Sequence, residues 1–239
     1  LDSEPNAIWQ CLHGEEDQAL RKIILTASGG PFRGRKKSEM YHITPEEALR
    51  HPTWKMGDKI SVDSATLMNK GFEVIEAACL FNVPIDSIEV VIHPQSVVHS
   101  LVELVDGSML AHMGETDMRL PIQYALTYPL RSASSLGSLD LTKIDKLSFS
   151  EPDRDNFPCL ELCYAAGRDG GGAPTVLNAA NEVSVASFLD RKISFLDIYQ
   201  LNADMLSRHG HEKPDNIETI QSLDEKVRIS SLEWVADRK

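Results

Sequence analysis

The stretch SVDSATLMNKGFEVIEA, Ser61 to Ala77, sets a helix start, small polar groups, a lysine and two carboxylates close together. Asp63 or Ser64 suits an N-cap, because its side-chain oxygen can accept from N–H groups that lack an intrahelical partner. The pattern predicts one helix from there towards Phe81, with Asn69, Glu73 and Glu76 on one face and Leu67, Val74 and Leu80 making apolar contacts elsewhere. A helix N-terminus carries free N–H donors and partial positive charge, so Ser64, Asn69 and Lys70 could surround a phosphate while Glu73 holds a metal one turn on. The same spacing equally describes a solvated helix face.

Outward from this helix, the 239-residue chain is long enough for one large domain or two smaller ones. Its net charge of −12 argues against a nucleic-acid partner and leaves carboxylates for hard cations. Cys11, Cys79, Cys159 and Cys163 form no C-x-x-C pair and read as reduced, mostly buried thiols. No apolar run is long enough to cross a membrane, and no signal-peptide pattern is visible. Opening on LDSE without an initiator Met, the chain reads as a piece of something longer.

Before the helix, Asp2 and Glu4 stand two apart at the end of an extended segment that leads into a short helix from Ala7 to Leu12. Side chains at that spacing point the same way along a strand, so the pair could share a divalent ion, or simply cap the helix. Lys22 to Ala27 suits a buried strand, and it runs into Ser28-Gly29-Gly30, where backbone can approach an anion or merely turn. Thr44-Pro45-Glu46-Glu47 is a capped helix start. His51-Pro52-Thr53-Trp54-Lys55-Met56-Gly57 has no regular element of its own, and from the residues alone Trp54 is expected to seal the core rather than close over a ligand.

After the helix, Ile88 to Ile92 reads as a buried strand, and Ser100–Leu104 and Ser108–Met113 as a hairpin around Asp106-Gly107. His99 stands at the hairpin's start, and Asp117 opens a helix through about Thr127. These elements predict an α+β, mixed-sheet catalytic domain over residues 1–130. Residues 131–157 read as a connector with a short strand at Leu147–Phe149. Residues 158–239 read as a small C-terminal four-helix bundle, with helices at Pro158–Arg168, Pro174–Asp190, Ser194–Arg208 and Ser222–Arg238. Asn178, Asn181 and Glu182 share a face there and could project a polar cluster into a neighbouring site.

Neither G-x-G-x-x-G after a strand nor a P-loop lysine is present, and there is no G-x-S-x-G elbow or H-E-x-x-H. What remains is carboxylates with Ser, Asn, Lys and His in loops, which suits Mg²⁺ or Mn²⁺ and a small phosphorylated, oxygen-rich substrate.

The motifs LDSEPNAIWQ, LTASGGPFR, ITPEEALRHPTWKMG, KISVDSATLMNKGFEVIEA, EVVIHPQSVVHSLVE and GETDMRLPI, in that order, resemble those of 1-deoxy-D-xylulose 5-phosphate reductoisomerases. PTVLNAANEVSVASFLDRKISFLDI is similar to the helical C-terminal domain of the same family. The resemblance covers nearly the whole chain, and the family's amino-terminal NADPH-binding domain falls outside it. It implies metal-assisted rearrangement of 1-deoxy-D-xylulose 5-phosphate and reduction with NADPH to 2-C-methyl-D-erythritol 4-phosphate, in bacterial cytoplasm or plastid stroma, by a homodimer.

Carried over by position, the resemblance assigns Asp2, Glu4 and Glu73 to the divalent ion and Ser3 to the substrate. Ser28, Ser64, Asn69 and Lys70 take the phosphate, with His51 beside it. Trp54 and Met56 lie on a flap over the substrate, His99 and Ser96 near the reacting end, and Met118 against the nicotinamide. Glu4, Trp54 and His99 are the implied catalytic residues, and Met56 and Met118 the implied cofactor contacts. Leu1 stands where the family usually has a small β-branched residue, and Thr53 where it often has Asn. A non-reducing domain that binds metal and sugar phosphate, or a non-catalytic dimerising module, are the alternative readings.

Overall fold

β-branched runs and capped helical stretches settle into four strands and nine α-helices among the described residues, 1–238, of a computed structural model. In chain order they are α1 (Ser3–Cys11), β1 (Leu20–Ala27), α2 (Pro45–Ala48), α3 (Asp58–Thr66), α4 (Met68–Phe81), β2 (Ile88–Ile92), β3 (Val98–Leu104) and β4 (Met109–Met113), followed by α5 (Arg119–Thr127), α6 (Cys159–Asp169), α7 (Ala173–Leu189), α8 (Phe195–His209) and α9 (Ile217–Ala236). The fold is α+β with a mixed sheet. Among the described residues, no helix is long and apolar enough to cross a membrane. The chain forms two compact units, Leu1–Gly29 with Glu76–Pro152 and Gly30–Ile75 with Asp153–Lys239.

The first unit holds the sheet, in the order β2-β1-β3-β4. β1 pairs parallel to β2, with Ile23 opposite Ile88, and antiparallel to β3, with Ile24 opposite Leu101. As a central strand it is buried continuously from Ile23 to Ala27, which is why it reads as an apolar run rather than an alternation. Gly107 has φ 87° and the Ser108 N–H donates to Asp106 Oδ1 at 2.8 Å, closing the β3–β4 hairpin as its sequence predicts. α1 packs on β3, and Ala7, Ile8, Leu25 and Val102 are fully buried in this unit.

The strand expected at Leu147–Phe149 does not form. Only Ser150 bridges to Ile92, while Phe149 stacks on the His93 ring with centroids 4.6 Å apart. That aromatic contact places the side chain without a ladder.

The second unit is helical, with α7 at its centre against α3, α6, α8 and α9. α7 is apolar nearly all round, as a helix enclosed by others must be. α9 starts at Ile217, five residues before the expected Ser222, because Asn216 and Thr219 form a capping box. All four cysteines are free; Cys159 and Cys163 are buried, whereas Cys79 is exposed.

The single helix expected from Asp63 to Phe81 is two. α3 already begins at Asp58, so Asp63 and Ser64 lie inside it and cap nothing. It ends at Leu67, in the left-handed region with φ 63°, and α4 restarts at Met68. A left-handed Leu costs about 1–2 kcal/mol, and burial of its side chain, roughly 1.5–3 kcal/mol, offsets that. Leu67 is 4% exposed, so burial wins and no glycine is required.

Candidate active site

In the first unit, the carboxylates take the second of the two arrangements their spacing allows, a helix cap rather than a strand end. Asp2 is the extended N-cap of α1, its carboxylate accepting from the Ser3 N–H at 2.7 Å, and Glu4 lies in the first helical turn. The Ser3 hydroxyl donates to Glu4 Oε2 at 2.6 Å. The partial positive charge of the helix start, rather than strand alternation, is what favours both acids there.

Ser28 follows β1 directly. Ser96 is 8% exposed with φ 53°, its N–H donating to the His93 carbonyl at 3.1 Å and its own carbonyl accepting from Thr116 Oγ1 at 3.2 Å. His93 holds that turn. Its Nε2 accepts from the Val98 N–H at 3.3 Å, so the proton sits on Nδ1, which donates to the Ser148 carbonyl at 3.0 Å. His99 on β3 is buried, with its ring centroid 5.7 Å from that of His112 on β4. Burial, then the neighbouring His99 and Arg131, push the His112 imidazole down to about 4, so it is neutral near pH 7. Met118 is the N-cap residue of α5.

In the second unit, the break at Leu67 brings a new helix start one turn past Ser64. Asn69 and Lys70 fall in the first turn of α4, and Glu73 one turn further. Lys70 is 5% and Glu73 2% exposed. The Lys70 ammonium donates to Glu73 Oε2 at 2.5 Å and Asn69 Nδ2 to Glu73 Oε1 at 2.6 Å. A buried carboxylate needs such partners, so this is not a solvated helix face.

Two glycines let backbone close in on this region. A Cβ on Gly30, at φ 68°, would lie 2.6 Å from the Ser64 carbonyl oxygen, and one on Gly71 would lie 2.4 Å from Cys163 Sγ. His51 Nδ1 accepts from the Trp54 N–H at 2.9 Å, tying the loop that carries Trp54 and Met56. Trp54 is part-exposed and absent from the core, contrary to the seal expected from its residues alone.

Sequence reasoning passed over His93, His112 and the role of Asp63. Asn181 is grouped by spacing with Asn178 and Glu182, but it turns to other partners: Asn181 Nδ2 donates to Asp63 Oδ1 at 2.8 Å, and Asn202 Nδ2 donates to Asn181 Oδ1 at 3.1 Å. Glu182 instead pairs with Arg228 at 2.7 Å. Buried Asp63, whose carboxyl is pushed up by desolvation, also takes the Lys59 ammonium at 2.7 Å. An Asn flanked by Ala179, Ala180 and Val183 on the buried part of α7 was the available signal.

Two family models match the chain. Residues 1–81 match the 1-deoxy-D-xylulose 5-phosphate reductoisomerase C-terminal domain, and residues 113–230 match the DXP reductoisomerase C-terminal domain. The chain belongs to the 1-deoxy-D-xylulose 5-phosphate reductoisomerase family. It is 56% identical to the reductoisomerase of Desulforamulus reducens, over 94% of this chain and 58% of that one. It is 52% identical to that of Heliobacterium modesticaldum, over 99% of this chain and 60% of that one. The chain therefore spans about three fifths of the length of these relatives.

Among solved structures, the reductoisomerase from Zymomonas mobilis in complex with NADPH is similar with a TM-score of 0.91 and 46% identity, over 98% of this chain and 60% of that one. A DOX-P reductoisomerase in complex with NADPH, fosmidomycin and magnesium gives a TM-score of 0.91 and 42% identity, over 98% of this chain and 62% of that one.

Proposed function

We propose that this chain is the substrate- and metal-binding portion of an enzyme that rearranges 1-deoxy-D-xylulose 5-phosphate and reduces the product with NADPH to 2-C-methyl-D-erythritol 4-phosphate. The observation that carries this reading is the buried Lys70–Glu73–Asn69 arrangement at the start of α4, one turn after Ser64. Similarity to reductoisomerases along almost the whole chain supports it.

In this reading Asp2, Glu4 and Glu73 hold a divalent ion, Mg²⁺ or Mn²⁺. Their oxygen-only donor set fits a hard cation. When bound, the ion supplies Lewis-acid stabilisation of charge that develops on the substrate carbonyl. Lys70, Asn69, Ser64 and Ser28 bind the phosphate remote from the reacting carbons, with His51 beside them, and so spend binding energy on orientation. Ser3 and Ser96 position the substrate's oxygens, and Glu4 and His99 lie at the reacting end. Trp54 closes over the substrate and excludes water, while Met56 and Met118 pack on the nicotinamide.

Lys70 and Glu73 share one bond while facing the phosphate and the cation respectively, so either ligand redistributes the pair's charge, and any coupling of the two affinities must be reciprocal. The reading also includes a homodimer through the sheet, for which β4 supplies an edge strand, and a bacterial cytoplasm or plastid stroma as compartment. A monomer in light scattering overturns the dimer.

The test is calorimetric titration of the chain with Mg²⁺ or Mn²⁺, then with fosmidomycin, in the absence of NADPH. Metal-dependent fosmidomycin binding that is lost in Glu73→Gln is expected. A folded chain that binds neither metal nor fosmidomycin overturns the reading.

A further inference from the structure

Four polar side chains are buried where α3 meets α7 and α8. Asp63 is 2% exposed, and Asn181, Ser184 and Asn202 are 0% exposed. Apolar residues of similar size would generally stabilise such a place as well or better, so a satisfied polar network here contributes geometry.

The bonds run in one direction. Asn202 Nδ2 donates to Asn181 Oδ1 at 3.1 Å, and Asn181 Nδ2 donates to Asp63 Oδ1 at 2.8 Å. The Ser184 hydroxyl fixes the Asn181 carbonyl at 3.0 Å. On the far side, Thr66 Oγ1 donates to the Asp63 carbonyl at 3.1 Å and accepts from the Met68 N–H at 3.3 Å. The chain of bonds therefore ends on the first residue of α4, across the left-handed Leu67. Ser64 adjoins Asp63, and Asn69 and Lys70 adjoin Met68.

We infer that Asn181 and Asn202 are positioning residues, which act through Asp63 to fix the α3–α4 break and with it Ser64, Asn69 and Lys70. The geometry of the break follows from the network alone; its purpose, holding the groups that take the phosphate, rests on the function proposed above. Neither asparagine touches the substrate in this assignment.

The test uses the whole chain. Amide hydrogen exchange is followed across residues 63–71 and across β1 in the wild type, Asn181→Ala and the exchange variant Asp63→Asn/Asn181→Asp, with inorganic phosphate binding measured alongside. The exchange variant keeps every hydrogen-bond partner while moving the carboxylate away from the Lys59 ion pair: with Asp63→Asn and Asn181→Asp the amide at 63 donates to the carboxylate at 181 and still accepts from Lys59, and Asn202 still donates to that carboxylate.

Asn181→Ala should speed exchange at 63–71 by about tenfold, the effect of losing one buried partner, leave β1 unchanged and weaken phosphate binding by a similar factor. The exchange variant should restore both. Unchanged protection at 63–71 in Asn181→Ala, acceleration that is equal everywhere, or an exchange variant no better than Asn181→Ala overturns the inference. If Asn181→Ala does not fold, a folded exchange variant with wild-type protection still supports it. The expected exchange pattern in a chain that never binds phosphate keeps the positioning and removes the functional reading.

Discussion

Asp2 and Glu4 in the first unit each bond to Ser3, one residue away, whereas Asp63 in the second is held by Lys59, four residues before it, and by Asn181, 118 residues along the chain. Asp2 and Glu4 are part-exposed at a helix start, with Ser3 buried between them; Lys70 and Glu73 are buried and bonded to each other. The contrast separates two ways of presenting charge. A part-exposed carboxylate at a helix start can change at the cost of a cap at most, about 0.5–2 kcal/mol, because water reaches the groups it leaves. A buried pair cannot, because each member's desolvation is offset by the other.

The strongest test of that difference is Lys70→Ala. Glu73 would keep Asn69 but lose its lysine, and a buried pair broken from one side costs about 3–5 kcal/mol. An unfolding free energy lowered by that amount, read from the denaturant transition, is expected, with part of the loss recovered on adding Mg²⁺, since a ligand at a hundredfold its Kd contributes about 2.7 kcal/mol. A change under about 1 kcal/mol would place the second unit's charges in the same class as the first unit's.

Gly71→Ala comes next. The added methyl meets Cys163 Sγ at 2.4 Å, and overpacking of about 1–3 kcal/mol should exceed the roughly 1 kcal/mol gained in helix propensity. Net destabilisation by urea unfolding is the expected pattern, and adding Cys163→Ala should relieve only part of it, because Cys163 Cβ also lies 2.6 Å from the added methyl. No net destabilisation would mean that the close approach is relieved elsewhere.

Glu4→Gln should be near-silent for stability, within about 0.5 kcal/mol, because Ser3 still finds an acceptor on the amide. In the proposed site it should nevertheless lose about tenfold or more in Mn²⁺ affinity by calorimetry. Equal metal affinity would remove Glu4 from the ligand set while leaving the structural contrast intact.

The strands, the hairpin and the C-terminal helices were legible because each rests on a local signal: an apolar run, Asp106-Gly107, or a cap. The break at Leu67 was not, since a left-handed leucine contradicts local preference and is sustained by tertiary burial. Trp54 illustrates the same limit from the other side, because a Pro- and Gly-bounded loop does not say which way its tryptophan turns. For the carboxylates near the N-terminus, spacing alone suits either a strand end or a helix start, and Asp2 as an N-cap selects the second. The link from Asp63 to Asn181 joins distant parts of the chain, which no periodicity reports.

The smallest expected effect concerns the loop that carries Trp54. Its tie is the neutral His51 ring, whose Nδ1 accepts from the Trp54 N–H. Burial holds this imidazole below its ordinary value of 6.5, so the folded chain takes up the proton less readily than the unfolded one. The loop's contribution to stability is therefore intact above the unfolded value and is lost as pH falls through it towards the folded value. Protonation also puts a donor where the Trp54 N–H needs an acceptor, so the loop should loosen before the helices do. In a Trp9→Phe/Trp234→Phe background, Trp54 fluorescence should shift as pH falls below the ordinary imidazole value while far-UV circular dichroism stays constant. His51→Gln, which offers an acceptor that does not titrate, should abolish the shift, and an unchanged titration in that variant would move the pH sensitivity to another group.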